Sequence, residues 1–204
     1  MIRIYNFAGG ARGIRAFWVC EEIGQPYEAV EVAFPPSQEY RRLNPLGSVP
    51  FLEDDGVAIN ESVAIMLYLA QRYGPGTLLP AADDPAFARV LQFAVFGEAS
   101  LASGMNPLLT AHFGAPSAEK RNWSVLTQEA RVEQFVDYAA QQLGASEYLV
   151  GEHFTLADVS VVTALAIWRN ALRKTIPQPL ADYAARMMER ESYQRARSAQ
   201  GPRI

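Results

Sequence analysis

Residues 44–62 have the sequence NPLGSVPFLEDDGVAINES, which contains three local secondary-structure signals in a fixed order. Pro50 stands where a loop ends and a short apolar segment begins, and it lacks the N–H that a sheet would use. Asp55-Gly56 is a two-residue hairpin signal between two such segments. Glu61-Ser62 directly precedes apolar residues at helical spacing. The stretch therefore predicts a loop, a strand, a tight turn, a second strand and the start of a helix.

The proline at the start of the first strand predicts an unusual backbone at that point. A cis bond between Val49 and Pro50 is one solution, and it would turn the Val49 N–H and C=O away from the protein's own sheet. Both groups would then be open to an extended peptide ligand. Glu61 and Ser62 lie one hairpin later at a helix N-terminus, which favours a carboxylate. The alternative is an ordinary hairpin and an ordinary helix cap, but the ordered combination favours a site for a small acidic peptide.

The segments NPLGSVPFL (44–52) and NESVAIMLYL (60–69) resemble the glutathione site of the cytosolic glutathione transferases, and the resemblance covers essentially the whole chain. It implies a transferase that joins the thiolate of glutathione, its co-substrate, to small hydrophobic electrophiles in detoxification. It also implies a homodimer. By the same resemblance, Val49 beside Pro50 pairs with the cysteinyl backbone of glutathione, and Glu61 and Ser62 hold its γ-glutamyl end. The candidates for holding the glycyl carboxylate are Gln38 and Arg42.

The distribution of turn signals and apolar periodicity predicts two domains. Residues 1–75 have the strand and helix order of a thioredoxin-like α/β domain, with its first two strands parallel. Residues 76–84 concentrate glycine and proline and form the linker. Residues 85–204 predict an all-α C-terminal domain, which by the resemblance lines the second-substrate pocket. In the first domain we predict strands at 2–6 and 27–32, helices at 12–23 and 62–73, and an irregular helical turn at 38–43.

The second domain has one helix with a strong start signal. Thr155-Leu-Ala-Asp158 has the form of a capping box, and the helix that follows is apolar almost all round. We therefore predict that this helix forms the buried centre of the domain. The predicted helices are 87–112, bent near Gly104 and Pro107, then 117–143, 156–168 and 180–191, with a basic tail at 195–204.

Composition and charge exclude several function classes. The 204 residues are half apolar with a net charge of −4, so nothing draws the chain generally to nucleic acid or an anionic membrane. No apolar segment is long enough to span a bilayer, and the first residues predict a strand and no signal peptide. The single Cys20 excludes an internal disulfide, and with only two histidines we expect no metal site. These observations favour a cytoplasmic protein.

A glutathione transferase needs a group that stabilises the thiolate, because a free thiol with a pKa of about 8.5 is mostly protonated at neutral pH. In the family a Tyr, Ser or Cys near the first helix supplies it. Here Ala11 occupies the serine position, and the cysteine position is close to Gly10. Neither has a donor side chain. The candidates that remain are Tyr5, Asn6, Arg12 and the backbone N–H groups of residues 10–13.

Tyr5 and Arg12 are the predicted catalytic residues. Arg12 is a permanent cation at a helix N-terminus, a position that favours a cation only when an anion is bound nearby. The alternatives are a surface role for Arg12 and core packing for Tyr5. Arg15, one turn further into the helix, is predicted to brace the interface between the domains.

The second-substrate pocket is predicted to include Gly10, Met105, His112 and Phe113. The His112-Phe113 pair is the cluster that packing explains least, although core packing explains the other apolar residues equally well. Two other functions stay open. A non-catalytic glutathione-binding or regulatory protein on the same fold would explain the missing donor. Reductive mixed-disulfide chemistry would need a nucleophile at the helix start, and Cys20 lies about two turns too late.

Overall fold

The computed structural model describes residues 1–10 and 12–201. Ala11, the predicted serine position, and the last three residues of the predicted basic tail lie outside the described residues. The chain forms two compact units. Unit 1 comprises Met1–Phe87 together with Met188–Ile204, and unit 2 comprises Ala88–Met187.

Unit 1 is built on a four-stranded sheet with the strand order β2-β1-β3-β4. The first two strands are parallel, as predicted, and the other two pairings are antiparallel. The hairpin turns at Asp55-Gly56, also as predicted, and the Val49–Pro50 bond is cis. The elements are β1 (Ile2–Phe7), α1 (Ile14–Ile23), β2 (Tyr27–Val32), α2 (Gln38–Leu43), β3 (Phe51–Asp54), β4 (Val57–Asn60) and α3 (Ser62–Tyr73).

Two of these helices differ from the sequence-based bounds. The helix α1 begins at Ile14 and not at residue 12, because the preceding residues form a turn that ends at Gly13. The predicted irregular turn at 38–43 is the short α-helix α2. Ser37 caps it, since the Ser37 side chain accepts a hydrogen bond from the Tyr40 N–H at 3.1 Å.

The C-terminal helix α9 (Glu191–Ala199) belongs to unit 1. We predicted one helical domain over residues 85–204 and a basic tail from residue 195, and the structure differs from both predictions here. The reason is packing against α1. The Tyr193 ring lies 4.8 Å from that of Trp18, and Arg190 donates two hydrogen bonds to the Glu22 carboxylate at 2.7 and 2.9 Å.

Unit 2 is helical throughout its described elements. They are α4 (Phe87–Phe96), a π-helical segment (Gly97–Ala102), α5 (Asn106–Gly114), α6 (Trp123–Leu143), α7 (Leu156–Asn170) and α8 (Leu180–Met188). The helix α6 begins at Trp123 and not at residue 117, because the Asn122 side chain caps it by accepting from the Val125 N–H at 3.1 Å. None of the described helices is both long and apolar enough to span a bilayer.

The helix predicted at 87–112 is interrupted earlier than Gly104. The backbone of α7 comes so close that a Cβ on Gly97 would lie 2.6 Å from the carbonyl carbon of Ser160. The Ser160 hydroxyl also donates to the Ala94 carbonyl at 2.7 Å. This close approach accompanies the π-helical segment, since side-chain insertion into a helix ladder is a common cause of such irregularity.

The capping box at Thr155 is confirmed, and α7 is the buried centre of unit 2. Asp158 is fully buried and accepts hydrogen bonds from the Thr155 N–H at 2.8 Å and the Leu149 N–H at 3.0 Å. The Tyr183 hydroxyl donates to the same carboxylate at 2.6 Å. One side chain therefore connects the start of α7 with α8 and with the preceding loop.

Candidate functional site

The loop before β3 is shaped by two side chains that hold the carbonyl of Ser48. The Tyr40 hydroxyl donates to this oxygen at 2.7 Å, and the Asn44 amide donates to it at 2.8 Å. Asn44 is completely buried. In a trans peptide the N–H and the C=O point in opposite directions, so the Val49 N–H points away from these two donors.

The main chain of Val49 is open. The strand pairing of β3 with β1 and β4 begins at Phe51, two residues later. Within the described part of the chain, no group hydrogen-bonds to the N–H or C=O of Val49. This edge is therefore suited to pair with an extended peptide.

Glu61 and Ser62 lie at the start of α3. Glu61 is exposed and has a φ of 71°, a strained conformation for a non-glycine residue. Ser62 is buried, and its Oγ accepts a hydrogen bond from Nη1 of Arg15 at 3.1 Å. No acceptor for the Ser62 hydroxyl proton lies among the described residues. The hydroxyl is therefore free to donate to a carboxylate at the helix N-terminus.

Arg15 has a partner within unit 1, since its guanidinium donates to Ser62. That this arginine braces the domain interface stays a prediction. The two residues are 47 positions apart and lie in different helices, so no local pattern indicates their contact. A fully buried guanidinium beside Ser62 also adds positive charge where a carboxylate would bind.

The structure argues against Tyr5 as the thiolate donor. Its hydroxyl donates to Oε2 of Glu53 at 2.6 Å, and its ring packs against those of Tyr40 and Phe51. Burial, together with the neighbouring Glu53 carboxylate, raises the pKa of Tyr5 to about 12. A proton already held by a carboxylate is not available to sulfur. Core packing, the alternative we gave for Tyr5, describes its surroundings.

Arg12 lies half-buried in the turn that leads into α1. Its carbonyl accepts from the Arg15 N–H at 3.3 Å, and Gly13 follows it as the N-cap residue. The catalytic role of Arg12 stays a prediction. Cys20 is buried within α1, and burial raises the pKa of its thiol to about 12, so it does not suit mixed-disulfide chemistry.

The buried side chain of Asn6 fills the space beneath the loop before α1. A Cβ on Gly13 would lie 2.2 Å from Cγ of Asn6, and one on Gly10 would lie 2.7 Å from its Oδ1. Only glycine fits at these two positions without displacing Asn6. The Asn6 amide donates to the Gly10 carbonyl at 3.3 Å, while its Oδ1 has no partner among the described residues.

The candidates for the glycyl carboxylate are both on the short helix α2. Gln38 and Arg42 are exposed there, and neither makes a hydrogen bond or ion pair with another described side chain. They stay predictions. A neighbour on the same helix, Arg41, has its guanidinium over Gly47, where a Cβ would lie 2.5 Å from Nη1. Arg41 therefore packs on the loop that carries Val49.

The predicted second-substrate residues lie in different surroundings. Gly10 is in unit 1, and the other three are in α5 or next to it in unit 2. Met105 is fully buried in the core of unit 2, so core packing accounts for it. His112 and Phe113 are exposed, with their rings 4.7 Å apart and edge to face. No group of three or more His, Cys, Asp or Glu side chains in the described ranges is placed to hold a metal ion.

Comparison with known proteins adds independent information. Residues 4–77 match the family model described as glutathione S-transferase, N-terminal domain, and residues 104–194 match glutathione S-transferase, C-terminal domain. Glutathione S-transferase GstA of Escherichia coli O157:H7 is 30% identical over 166 residues, which is 80% of this chain and 79% of that protein. Glutathione S-transferase 3 of Schizosaccharomyces pombe is 31% identical over 72% of this chain and 66% of its own length.

Solved structures give the same result. A glutathione transferase of Methylococcus capsulatus superposes with a TM-score of 0.83 at 25% identity, covering 98% of each chain. A theta class glutathione S-transferase of Xanthomonas axonopodis pv. citri, solved with glutathione bound, superposes with a TM-score of 0.80 at 28% identity over 96% of each chain. The thioredoxin-like unit, the helical unit that follows and these similarities agree. The chain belongs to the glutathione S-transferase family.

Proposed function

We propose that the protein binds glutathione in unit 1 and transfers its thiolate to small hydrophobic electrophiles. The open main chain of Val49, together with the Ser62 hydroxyl at the start of α3, is the observation that carries this proposal. We further propose that the protein acts as a cytoplasmic homodimer in detoxification, as the resemblance implies.

The chemistry of glutathione matches the groups around Val49. An extended tripeptide presents a main-chain N–H and C=O at its cysteine, and these complement the C=O and N–H of Val49. The α-carboxylate of the γ-glutamyl end suits the start of α3, where Ser62 donates and Arg15 lies behind it. The α-ammonium group of the same end suits the exposed Glu61 carboxylate. The relative from Xanthomonas, solved with glutathione bound, supports glutathione as the ligand.

The reaction requires an ionised thiol. The thiol proton leaves to solvent, the sulfur forms a bond with the electrophilic carbon, and the leaving group departs with the electron pair of the bond that breaks. Arg12 and the main-chain N–H groups between Gly10 and α1 are the proposed stabilisers of the thiolate. The Tyr5 hydroxyl already donates to Glu53, and the Gly10 N–H already donates to the Phe7 carbonyl at 2.8 Å. His112 and Phe113 are the proposed contacts to the electrophile on unit 2.

A second function has one observation in its favour. Neither Gly10 nor Tyr5 offers a side-chain donor to sulfur, which suits a protein that binds glutathione without turning it over. The two functions differ in rate and not in binding. Turnover of an aryl halide above the uncatalysed rate supports the transferase, and its absence in a chain that binds glutathione supports the binding protein.

Isothermal titration with glutathione tests the site. We expect binding by the wild type and a loss of affinity of about ten-fold for Ser62→Ala, because the charge-assisted hydrogen bond to the carboxylate is removed. Ser124→Ala is the matched control, since Ser124 is an exposed helix-start serine in unit 2. No binding by the wild type at millimolar glutathione would overturn the proposal.

A further inference from the structure

We propose that Gln200, the residue that ends α9, is a positioning residue for the thiolate site. It holds the glycine loop before α1 in the conformation that a bound sulfur requires. This inference rests on the proposed function, which assigns the thiolate to the start of α1. It adds a role for a residue in the segment 195–204, which we predicted to be a basic tail.

Gln200 makes a reciprocal pair of hydrogen bonds with the loop. The Gly9 N–H donates to the Gln200 carbonyl at 3.2 Å, and Nε2 of Gln200 donates to the Gly10 carbonyl at 2.6 Å. The buried amide of Asn6 donates to the same carbonyl at 3.3 Å from within the unit. Two side-chain amides, from β1 and from the end of α9, therefore converge on a single main-chain oxygen.

The loop needs such anchoring because its own side chains cannot supply it. Gly9 has a φ of 63°, which glycine adopts without strain. Position 10 has no room for a Cβ, because the Asn6 side chain fills that space. Two glycines in sequence have the largest conformational freedom to lose on ordering. External hydrogen bonds at Gly9 and Gly10 restrict that freedom without any side chain in the loop.

The anchor comes from a helix that is itself firmly held on α1. Arg190 makes a bidentate contact with the Glu22 carboxylate, and the Ser192 hydroxyl donates to the same carboxylate at 2.5 Å. Further along α9, Arg195 donates to Glu21 at 2.7 Å. The Tyr193 ring packs on that of Trp18 between these pairs. Gln200 therefore reaches the loop from a fixed position.

Positioning matters here because main-chain donors stabilise an anion only when they are held in place before it forms. Preorganised N–H groups avoid the free-energy cost of reorienting when the charge develops. If the loop is loosened, the thiol of bound glutathione loses part of this stabilisation and its pKa rises. Binding of the tripeptide depends mainly on Val49, Glu61 and Ser62, so affinity should change less than thiol ionisation.

Two substitutions of Gln200 test this in the full chain. Gln200→Ala removes the Nε2 donor, and Gln200→Glu keeps the size but sets an oxygen against the Gly10 carbonyl. Ultraviolet absorbance of the thiolate, followed against pH in the glutathione complex, reports the thiol pKa, and aryl halide turnover reports kcat. The matched control is Gln194→Ala, because Gln194 lies on the same helix and its amide donates to the Met188 carbonyl, away from the loop.

We expect Gln200→Ala to lower kcat about five-fold, the effect of losing one neutral hydrogen bond. The pKa of the bound thiol should rise by about 0.7, which is the same five-fold factor in the ionisation equilibrium. Gln200→Glu should lower kcat further, although a purely packing role would leave this variant near the wild type. The glutathione Kd should change by less than about two-fold, since that loop is not its main contact. Gln194→Ala should match the wild type in all three quantities.

The outcomes separate the two proposals. If the wild type does not bind glutathione, the proposed function fails and Gln200 has no site to position. If the wild type binds glutathione and turns over the aryl halide, but both Gln200 variants keep its thiol pKa and kcat, the positioning role is wrong and the proposed function stands. An equal loss of kcat in Gln200→Ala and Gln194→Ala would also overturn the positioning role, because weaker docking of α9 on α1 would then explain both losses.

Discussion

The carbonyl of Ser48 is the atom on which the orientation of Val49 depends. Its two donors, Tyr40 and Asn44, do not themselves offer groups to a ligand, yet they determine where the Val49 N–H points. Residues that only orient a main-chain group are easily missed in a sequence, because their side chains have an ordinary structural explanation. They should nevertheless change affinity when replaced.

Asn44→Ala should weaken glutathione binding about five-fold and lower the free energy of unfolding by about 1–2 kcal/mol, because one buried hydrogen bond to Ser48 is lost. Tyr40→Phe removes the other donor. Isothermal titration of both single variants and the double variant measures their coupling. If the losses of stability in the single variants simply add in the double variant, and the glutathione affinity of all three is unchanged, Tyr40 and Asn44 have no role in orienting Val49.

Tyr5→Phe should leave aryl halide turnover within about two-fold of the wild type, because the lost hydroxyl serves Glu53 and not sulfur. The pKa of Tyr5, which burial and Glu53 raise to about 12, keeps the phenol protonated at every pH of interest. Arg12→Ala is the comparison, and it should lower kcat about ten-fold or more if the guanidinium stabilises the thiolate. A large loss of turnover in Tyr5→Phe alone would restore Tyr5 as the catalytic donor.

At the scale of helices and strands, the half-buried carboxylate of Glu22 is one of the groups that hold α9 on α1. Burial alone would raise the pKa of Glu22, but hydrogen bonds from Arg190 and Ser192 and the charge of Arg190 outweigh it, so the pKa lies below its ordinary value. A carboxyl with a lowered pKa in the folded state contributes stability above its unfolded pKa. That contribution is lost as the pH falls through the folded value.

Glu22→Gln should therefore be less stable than the wild type at neutral pH, and the difference should shrink as the pH falls below the ordinary glutamate range. Chemical denaturation at several pH values measures it. Glu189→Gln is the matched control, because Glu189 is exposed and precedes α9 without a described ion pair. A difference that stays constant with pH would show that the Glu22 charge does not stabilise the docking of α9.

The start of α7 gives a second prediction at this scale. Asp158→Ala should lower the free energy of unfolding by about 3–5 kcal/mol, because the buried N–H groups of Leu149 and Thr155 and the Tyr183 hydroxyl all lose their acceptor. Tyr183→Phe, which removes a single donor, should cost about 1–2 kcal/mol. Denaturant melts of both variants give the two values. Equal losses would mean that the capping hydrogen bonds contribute little.

The elements that the sequence predicted correctly are those with local signals. Asp55-Gly56 specifies a hairpin, and Thr155 with Asp158 specifies a helix start, since the interacting groups lie within a few residues of one another. The π-helical segment and α9 were missed because their causes are distant contacts, Gly97 with Ser160 and Trp18 with Tyr193. The candidate site divides in the same way, since Val49 and Ser62 lie in local motifs but Gln200 does not.

At the scale of the whole molecule, glutathione should stabilise the chain by mass action. A ligand that binds only the folded state at about 100 times its Kd raises the free energy of unfolding by about 2.7 kcal/mol. Thermal melting with and without glutathione measures this, and Ser62→Ala, with its about ten-fold weaker binding, should lose about half of the shift at the same concentration. A shift of equal size in Ser62→Ala would mean that glutathione stabilises the protein through another site.

The return of α9 to unit 1 has a consequence for biosynthesis. A ribosome releases residues 1–87 while the segment that completes their packing is still untranslated, so the nascent α1 presents Trp18 and Glu22 without their counterparts. Maturation of the first unit must therefore await translation of residues 188–204. For the same reason, recombination with a homologue at the 87/88 boundary would import a foreign last helix, and the chimera would require Trp18 and Glu22 to match it.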